Sequence, residues 1–327
     1  MHNKYTFFVK KSALLAFLGA AVMTAAACQP VNPAGAVPTT APAATAEITS
    51  EAAEAATPEA TGEPNTEATS EATSEPRPEA TTAAAEEATA EAAADGSTVQ
   101  VSVSAGGIDM PAEVPSGIVT FAYQMAEDAP GMPEFARLND GITLDQFMAA
   151  AQQDIMAAVP LVTMIGNSEQ KVGDVVTYDL KPGDYVGLVF QESGPPLTAA
   201  FTAGEATGAA EPQAAVTAQL ADFAFLLPDE IAAGPQTWMI ENTGAQWHEM
   251  GIVKLAEGTS VDDVVAMLSQ PEQDGPPPFE DIAFLSPIGA GQRAWLTWDL
   301  PAGEYTIICF LPNLAGDMSP HAAHGMV

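Results

Sequence analysis

An internal repeat between residues 98 and 327 constrains the fold more than any other feature of this chain. Met110-Pro111-Ala112-Glu113-Val114-Pro115-Ser116-Gly117 aligns with Leu227-Pro228-Asp229-Glu230-Ile231-Ala232-Ala233-Gly234. Arg137-Leu138-Asn139-Asp140-Gly141 aligns with Lys254-Leu255-Ala256-Glu257-Gly258 at the same offset. After a small insertion, Asp179-Leu180-Lys181-Pro182-Gly183-Asp184-Tyr185 aligns with Asp299-Leu300-Pro301-Ala302-Gly303-Glu304-Tyr305. Collinear matches of this kind mean that one structural unit occurs twice.

Each unit reads as mainly β. The first has Val99–Val103, Ile118–Tyr123, Val175–Tyr178 and Tyr185–Phe190 as short β-branched and aromatic runs. The second has Thr237–Ile240, Arg293–Trp298 and Tyr305–Phe310. Runs of this length between turn residues predict β-strands, and several of them in succession predict a β-sandwich. One helix interrupts each unit, from Thr143 to about Asp154 and from Thr259 to about Ser269, with Thr143 and Thr259 as N-caps. Their apolar faces are expected to pack against the sandwich.

The N-terminal part has a different character. Lys4, Lys10 and Lys11 precede an apolar run from Ala13 to Met23, which is followed by Ala25-Ala26-Ala27-Cys28. A basic stretch, a short apolar core and small residues form an export signal, and the run is short for a membrane span. Cys28 directly after the small residues resembles a bacterial lipobox, in which the Cys carries the lipid, although Ala25 stands where Leu is preferred. An ordinary export signal with an incidental Cys is the plainer alternative. Residues 29–97 are dominated by Ala, Thr, Glu and Pro, contain no aromatic residue and have Arg77 as their sole cation. Such a segment cannot bury enough apolar surface to offset its ordering entropy. It is expected to be a disordered stalk, reaching on the order of 45 Å as a flexible coil. The expected organisation is therefore residues 1–28 signal and lipobox, 29–97 linker, and two sandwich domains at 98–205 and 215–327. A lipid on Cys28 would hold the chain at the outer face of the bacterial cytoplasmic membrane or at the cell surface.

Nine Lys and Arg against 43 Asp and Glu give a formal charge of −34. That balance disfavours nucleic acid as a partner, because phosphate binding needs a neutralising basic surface. It is compatible with a basic protein partner, although solubility is the simpler explanation of a charged surface.

The candidate chemistry lies near the C-terminus. The chain has four His, and three of them (His248, His321 and His324) fall in the second unit together with Cys309. His248, Cys309, His321 and Met326 supply two imidazoles, a thiolate and a thioether, the donor set of a blue-copper site. Each has a plain alternative. Cys309 in an apolar strand also suits a small buried hydrophobe, His248 an ordinary loop residue, and His321 and Met326 an unstructured tail. An unpaired Cys in an exported chain nevertheless calls for an explanation.

The local patterns carry a resemblance. Asn242-Thr243-Gly244-Ala245-Gln246-Trp247-His248, Gly303-Glu304-Tyr305-Thr306-Ile307-Ile308-Cys309 and Pro320-His321-Ala322-Ala323-His324-Gly325-Met326 together resemble the ligand stretches of cupredoxins, the plastocyanin and azurin family. The resemblance covers roughly residues 215–327. It implies a Greek-key β-sandwich holding copper near one end, with Cys309, His248 and His321 as equatorial ligands and Met326 as a weak axial one. This sequence departs from the family pattern in four places. It has an extra residue before His248, eleven residues between Cys309 and His321, Glu249 where the family usually has an Asn that braces the Cys loop, and His324 as a substitute for His321 or Met326. The first unit has Gly131 and Val189 at the positions of His248 and Cys309, and its tail Leu197-Thr198-Ala199-Ala200-Phe201 holds neither His nor Met. It reads as a degenerate copy serving as spacer or docking surface.

The implied function is a tethered copper-binding electron carrier with a redox partner protein of unknown identity. A copper storage or delivery protein and a metal-free surface module are the alternatives. Two-domain and larger copper enzymes need additional His clusters that the three His beyond the export signal cannot supply, and no phosphate loop, His-Glu-x-x-His helix or Gly-x-Ser-x-Gly elbow is present. The chain is expected not to be an enzyme.

Overall fold

The repeat folds into matching strands. A computed structural model describes residues 98–270 and 275–327. The export signal, Cys28 and the stalk at 29–97 lie outside the described residues. In the first half the strands are β1 (Thr98–Ser104), β2 (Gly107–Asp109), β3 (Glu113–Met125), β4 (Glu134–Leu138), β5 (Val162–Met164), β6 (Val175–Leu180), β7 (Gly183–Val189) and β8 (Leu197–Ala206). In the second they are β9 (Val216–Ala221), β10 (Ala224–Leu226), β11 (Gly234–Asn242), β12 (His248–Leu255), β13 (Phe279–Ile288), β14 (Arg293–Leu300) and β15 (Thr306–Ile308). The pairing of β1 with β3 is parallel, and so is that of β9 with β11. In each half one sheet faces a second (β4, β5, β7 and β8, then β12, β13 and β15), and the inward positions of both fill the core.

Side chains confirm the duplication at atomic detail. Thr120 and Thr177 share a hydroxyl hydrogen bond of 2.8 Å across β3 and β6, and Thr237 and Thr297 share one of 3.0 Å across β11 and β14. Tyr185 donates its hydroxyl to the Lys181 carbonyl at 2.8 Å, and Tyr305 donates to Pro301 at 2.6 Å. Each is a tyrosine corner, which ties the chain entering a strand back onto itself.

The two halves share a sheet. β14 pairs antiparallel with β6 through Ala294–Tyr178 and Trp295–Thr177, and the described residues fall in one compact unit. A polar network also crosses the junction. The Ser286 hydroxyl donates to Glu134 at 2.6 Å and accepts from the Asn167 backbone N–H at 2.8 Å. Trp298 Nε1 donates to Ser168 Oγ at 3.1 Å, and Lys171 donates to the Ser168 carbonyl at 2.6 Å. Burial raises Glu134 to about 7, partly opposed by the Ser286 hydrogen bond. Burial likewise pulls Lys171 down to about 8.

The helices differ in detail from the sequence expectation. Helix α1 (Leu144–Gln153) is capped by Thr143 as predicted, with a reciprocal bond to Gln146. A second short helix, α2 (Ile155–Ala158), follows it, because the Asp154 side chain accepts from Met156 N–H and restarts the turn. In the second half, helix α3 (Val261–Leu268) is capped by Ser260 and not by Thr259. Ser260 exchanges hydrogen bonds with Asp263, a carboxylate correctly spaced for Ser260 alone. The last strand is also shorter than the apolar run Tyr305–Phe310 predicts. β15 stops at Ile308, because the backbone of Cys309 bonds to a returning loop in place of a sheet neighbour.

Candidate metal centre

Three segments meet at one end of the second half. His248 is the first residue of β12, Cys309 follows the last residue of β15, and His321 opens a 3-10 turn at His321–His324. Asn242 sets the approach to His248. Its side-chain amide donates to the carbonyls of Gln246 and Ile288, both at 2.7 Å, while its oxygen accepts from Gly244 N–H at 2.9 Å. That explains why the stretch before His248 needs Asn, and the bonds close around the extra residue without displacing the histidine.

The eleven-residue spacer between Cys309 and His321 is folded back on itself. Pro312 bridges to Pro320, and Asn313 N–H donates to the Ser319 carbonyl at 2.8 Å. His321 N–H donates to Leu311 O at 2.8 Å and Ala322 N–H to Cys309 O at 3.1 Å. Cys309 N–H donates to Met326 O at 3.2 Å, and Met326 N–H to His321 O at 3.1 Å. Gly325 takes φ +102°, a left-handed conformation that lets the turn close. The added length forms the tip of this hairpin and leaves the donors close together.

His248, Cys309 and His321 place one donor atom each within 4.8 Å of one another, and all three residues are buried. His248 Nδ1 is 3.1 Å from His321 Nδ1, which is 3.4 Å from Cys309 Sγ. Met326 is fully buried in the same apolar cluster as Cys309 and Leu311. His324 does not join the donors. Its Nε2 faces Ser319 Oγ at 2.7 Å and Asp317 Oδ1 at 3.2 Å. Its ring packs on Phe223.

Glu249, where the family pattern has Asn, accepts from Phe310 N–H at 3.1 Å and so holds the backbone next to Cys309. Burial pushes the Cys309 thiol far up, with the Glu249 charge adding to it and the backbone N–H groups of Glu249 and Leu311 opposing. His321 is pushed down to about 4 by burial, then by the neighbouring His248. Burial also lowers His248, against its bond to Asp222. Burial thus favours the protonated thiol, and an incoming ion would exchange for that proton. One soft thiolate with two imidazoles, all buried, is a donor set that suits copper.

The second half has a two-sheet Greek-key sandwich, a His–Cys–His cluster at one end and a ligand loop after its last strand. The fold is cupredoxin-like. Among solved structures, the chain is similar to reduced auracyanin from the photosynthetic bacterium Roseiflexus castenholzii, at 25% identity over 34% of this chain and 89% of that one, with a TM-score of 0.24. It is also similar to auracyanin B at 19% identity, covering 36% of this chain and 88% of that one, with a TM-score of 0.23. A copper nitrite reductase from Nitrosomonas europaea is similar at 14% identity over 64% of this chain and 86% of that one, with a TM-score of 0.18. No protein-family model matches the chain, and no curated protein does.

The cupredoxin-like second half also carries a device that its motifs did not announce. The two-residue turn of the β9–β10 hairpin, Asp222-Phe223, reaches over the centre. Asp222 Oδ1 lies 2.9 Å from His248 Nε2, and Phe223 stands against His321. The one local signal was the Asp at a tight turn, which by itself marks a hairpin and nothing more. In the first half the equivalents of two ligands are Gly131 and Val189, and the chain continues into β8 where the second half has its ligand loop. The first half still borders the centre. Phe147, Ile155, Met164 and Leu188 wall an apolar pocket whose other side is Trp247 and Leu311.

Proposed function

We propose that this chain is a copper-binding electron carrier, held at the outer face of a bacterial membrane by a lipid on Cys28. The observation that carries the reading is the convergence of one thiol and two imidazoles, all buried, within 4.8 Å. Copper bound there supplies a one-electron couple. The chain's own residues supply the setting. His248 and His321 offer Nδ1 lone pairs and Cys309 a sulfur, on backbone already fixed by the Asn242, Glu249 and Leu311 hydrogen bonds. Donors held this way move little when charge changes, which favours fast transfer. Their burial excludes water and argues against a delivery role, which requires the ion to leave.

The reading is non-enzymatic, because a second copper centre would need His residues beyond the four in the chain. The membrane attachment rests on the sequence around Cys28, and a basic redox partner rests on the net charge of −34. To test the carrier role, the reduced copper-loaded chain is mixed with an oxidised basic c-type cytochrome in a stopped-flow instrument. Rapid electron transfer that slows as ionic strength rises is the expected result. Absence of transfer at every ionic strength, from a chain that holds copper, would contradict it.

A further inference from the structure

We propose that Asp222 is a positioning residue of this metal centre, whose carboxylate fixes the orientation of His248 and stabilises the oxidised over the reduced ion. The inference rests on the copper reading above. Asp222 Oδ1 is 2.9 Å from His248 Nε2, so the imidazole N–H is directed at a carboxylate and its Nδ1 lone pair is left facing Cys309 and His321. A carboxylate on the far nitrogen of a ligating imidazole selects the tautomer and makes the ligand more basic.

The carboxylate is itself held in place. Oδ1 accepts from Ala245 N–H at 3.0 Å and Gln246 N–H at 3.1 Å, and Oδ2 accepts from Ala245 N–H at 3.1 Å. The Asp222 side chain is 37% exposed, so its charge is only partly screened.

The backbone approaches this contact so closely that only glycine fits at position 244. A Cβ on Gly244 would run into Asp222 Oδ1 and lie 2.8 Å from His248 Nε2, so any other residue there forces the pair apart. Phe223, the next residue in the turn, adopts φ +64°, an unfavourable conformation for a residue with a side chain. A two-residue hairpin turn uses a positive φ, and this one sets Asp222 against His248 and Phe223 against His321.

The two imidazoles are consequently unequal. His248 has a carboxylate on its outer nitrogen, whereas His321 Nε2 is buried with no hydrogen-bond partner. A negative charge on one ligand favours the more highly charged ion, which lowers the reduction potential.

The test uses the full copper-loaded chain as wild type, Asp222→Asn, Asp222→Glu and Gly244→Ala, with Cu(I) and Cu(II) affinities read by chelator competition and the potential by spectroelectrochemistry. For Asp222→Asn the expected result is a Cu(II) affinity weakened at least about tenfold relative to Cu(I), equivalent to a potential raised by about 59 mV for one electron. Gly244→Ala, which keeps the charge in the chain but displaces it, shifts the potential in the same direction, and Asp222→Glu restores part of the wild-type value. A wild-type centre with copper spectra and an Asp222→Asn variant of unchanged potential would overturn the role of Asp222 alone. A wild type that binds no copper would overturn the copper reading and this inference with it.

Discussion

The Phe223 ring stands edge-on to the His321 imidazole, with 5.2 Å between centroids and an interplanar angle of 87°. It covers one face of a histidine whose Nε2 is buried with no hydrogen-bond partner.

Removing that cover should change the histidine in the metal-free chain. Burial is the main reason that His321 lies at about 4. In Phe223→Ala, water reaches the ring and the value should rise towards the ordinary 6.5. A proton NMR titration of the His321 ring reads this directly. A value that stays near 4 would mean that the neighbouring His248, and not burial, sets it.

Asn242 should matter more to folding than its small size suggests. Its side chain makes three hydrogen bonds around the His248 loop, two of them to backbone carbonyls. Asn242→Ala strands those groups in a buried place and should cost about 2–4 kcal/mol. Urea denaturation of the metal-free protein measures this without any contribution from copper.

The repeated tyrosine corners offer a paired test. Tyr185→Phe and Tyr305→Phe each delete one hydroxyl donated to a backbone carbonyl, at Lys181 and Pro301. Each should destabilise by roughly 1 kcal/mol, and the double variant should lose the sum, because the two corners share no partner. Chemical denaturation of the three variants checks both the size and the additivity.

Glu134 predicts a dependence on pH. Between its ordinary 4.5 and about 7, the folded chain keeps a proton that the unfolded chain has released. Stability should therefore fall as pH rises through that window and then level off. Glu134→Gln removes the titration and keeps an acceptor for Ser286. Its stability relative to wild type should grow by at most about 3 kcal/mol from pH 4.5 to pH 7 and beyond. Thermal unfolding at a series of pH values tests the sign.

Much of the architecture was legible because duplication writes the same constraint twice. The Pro-Gly and Ala-Gly turns before Tyr185 and Tyr305 marked strand entries that the structure shows as matching corners. The residue types of His248, Cys309 and His321 pointed to a donor set, and the fold brings these three together. Asp222 and Phe223 were not legible. A two-residue turn has the same composition wherever its tip points, and only tertiary packing lays this one across the histidines. The choice of Ser260 over Thr259 turned on a single register relative to Asp263, which two adjacent hydroxyl residues leave ambiguous. The early end of β15 was hidden for a related reason. An apolar run continues through Cys309 and Leu311, but its hydrogen-bond partner becomes the ligand loop in place of a strand.

The most direct measurement of the central claim is a Cu(II) titration of the purified chain, followed by visible absorption and EPR, beside Cys309→Ser. The account predicts one equivalent of copper, an intense thiolate-to-copper band with narrow hyperfine splitting, and loss of both in the variant. No stoichiometric binding, or a spectrum that Cys309→Ser leaves unchanged, would contradict it.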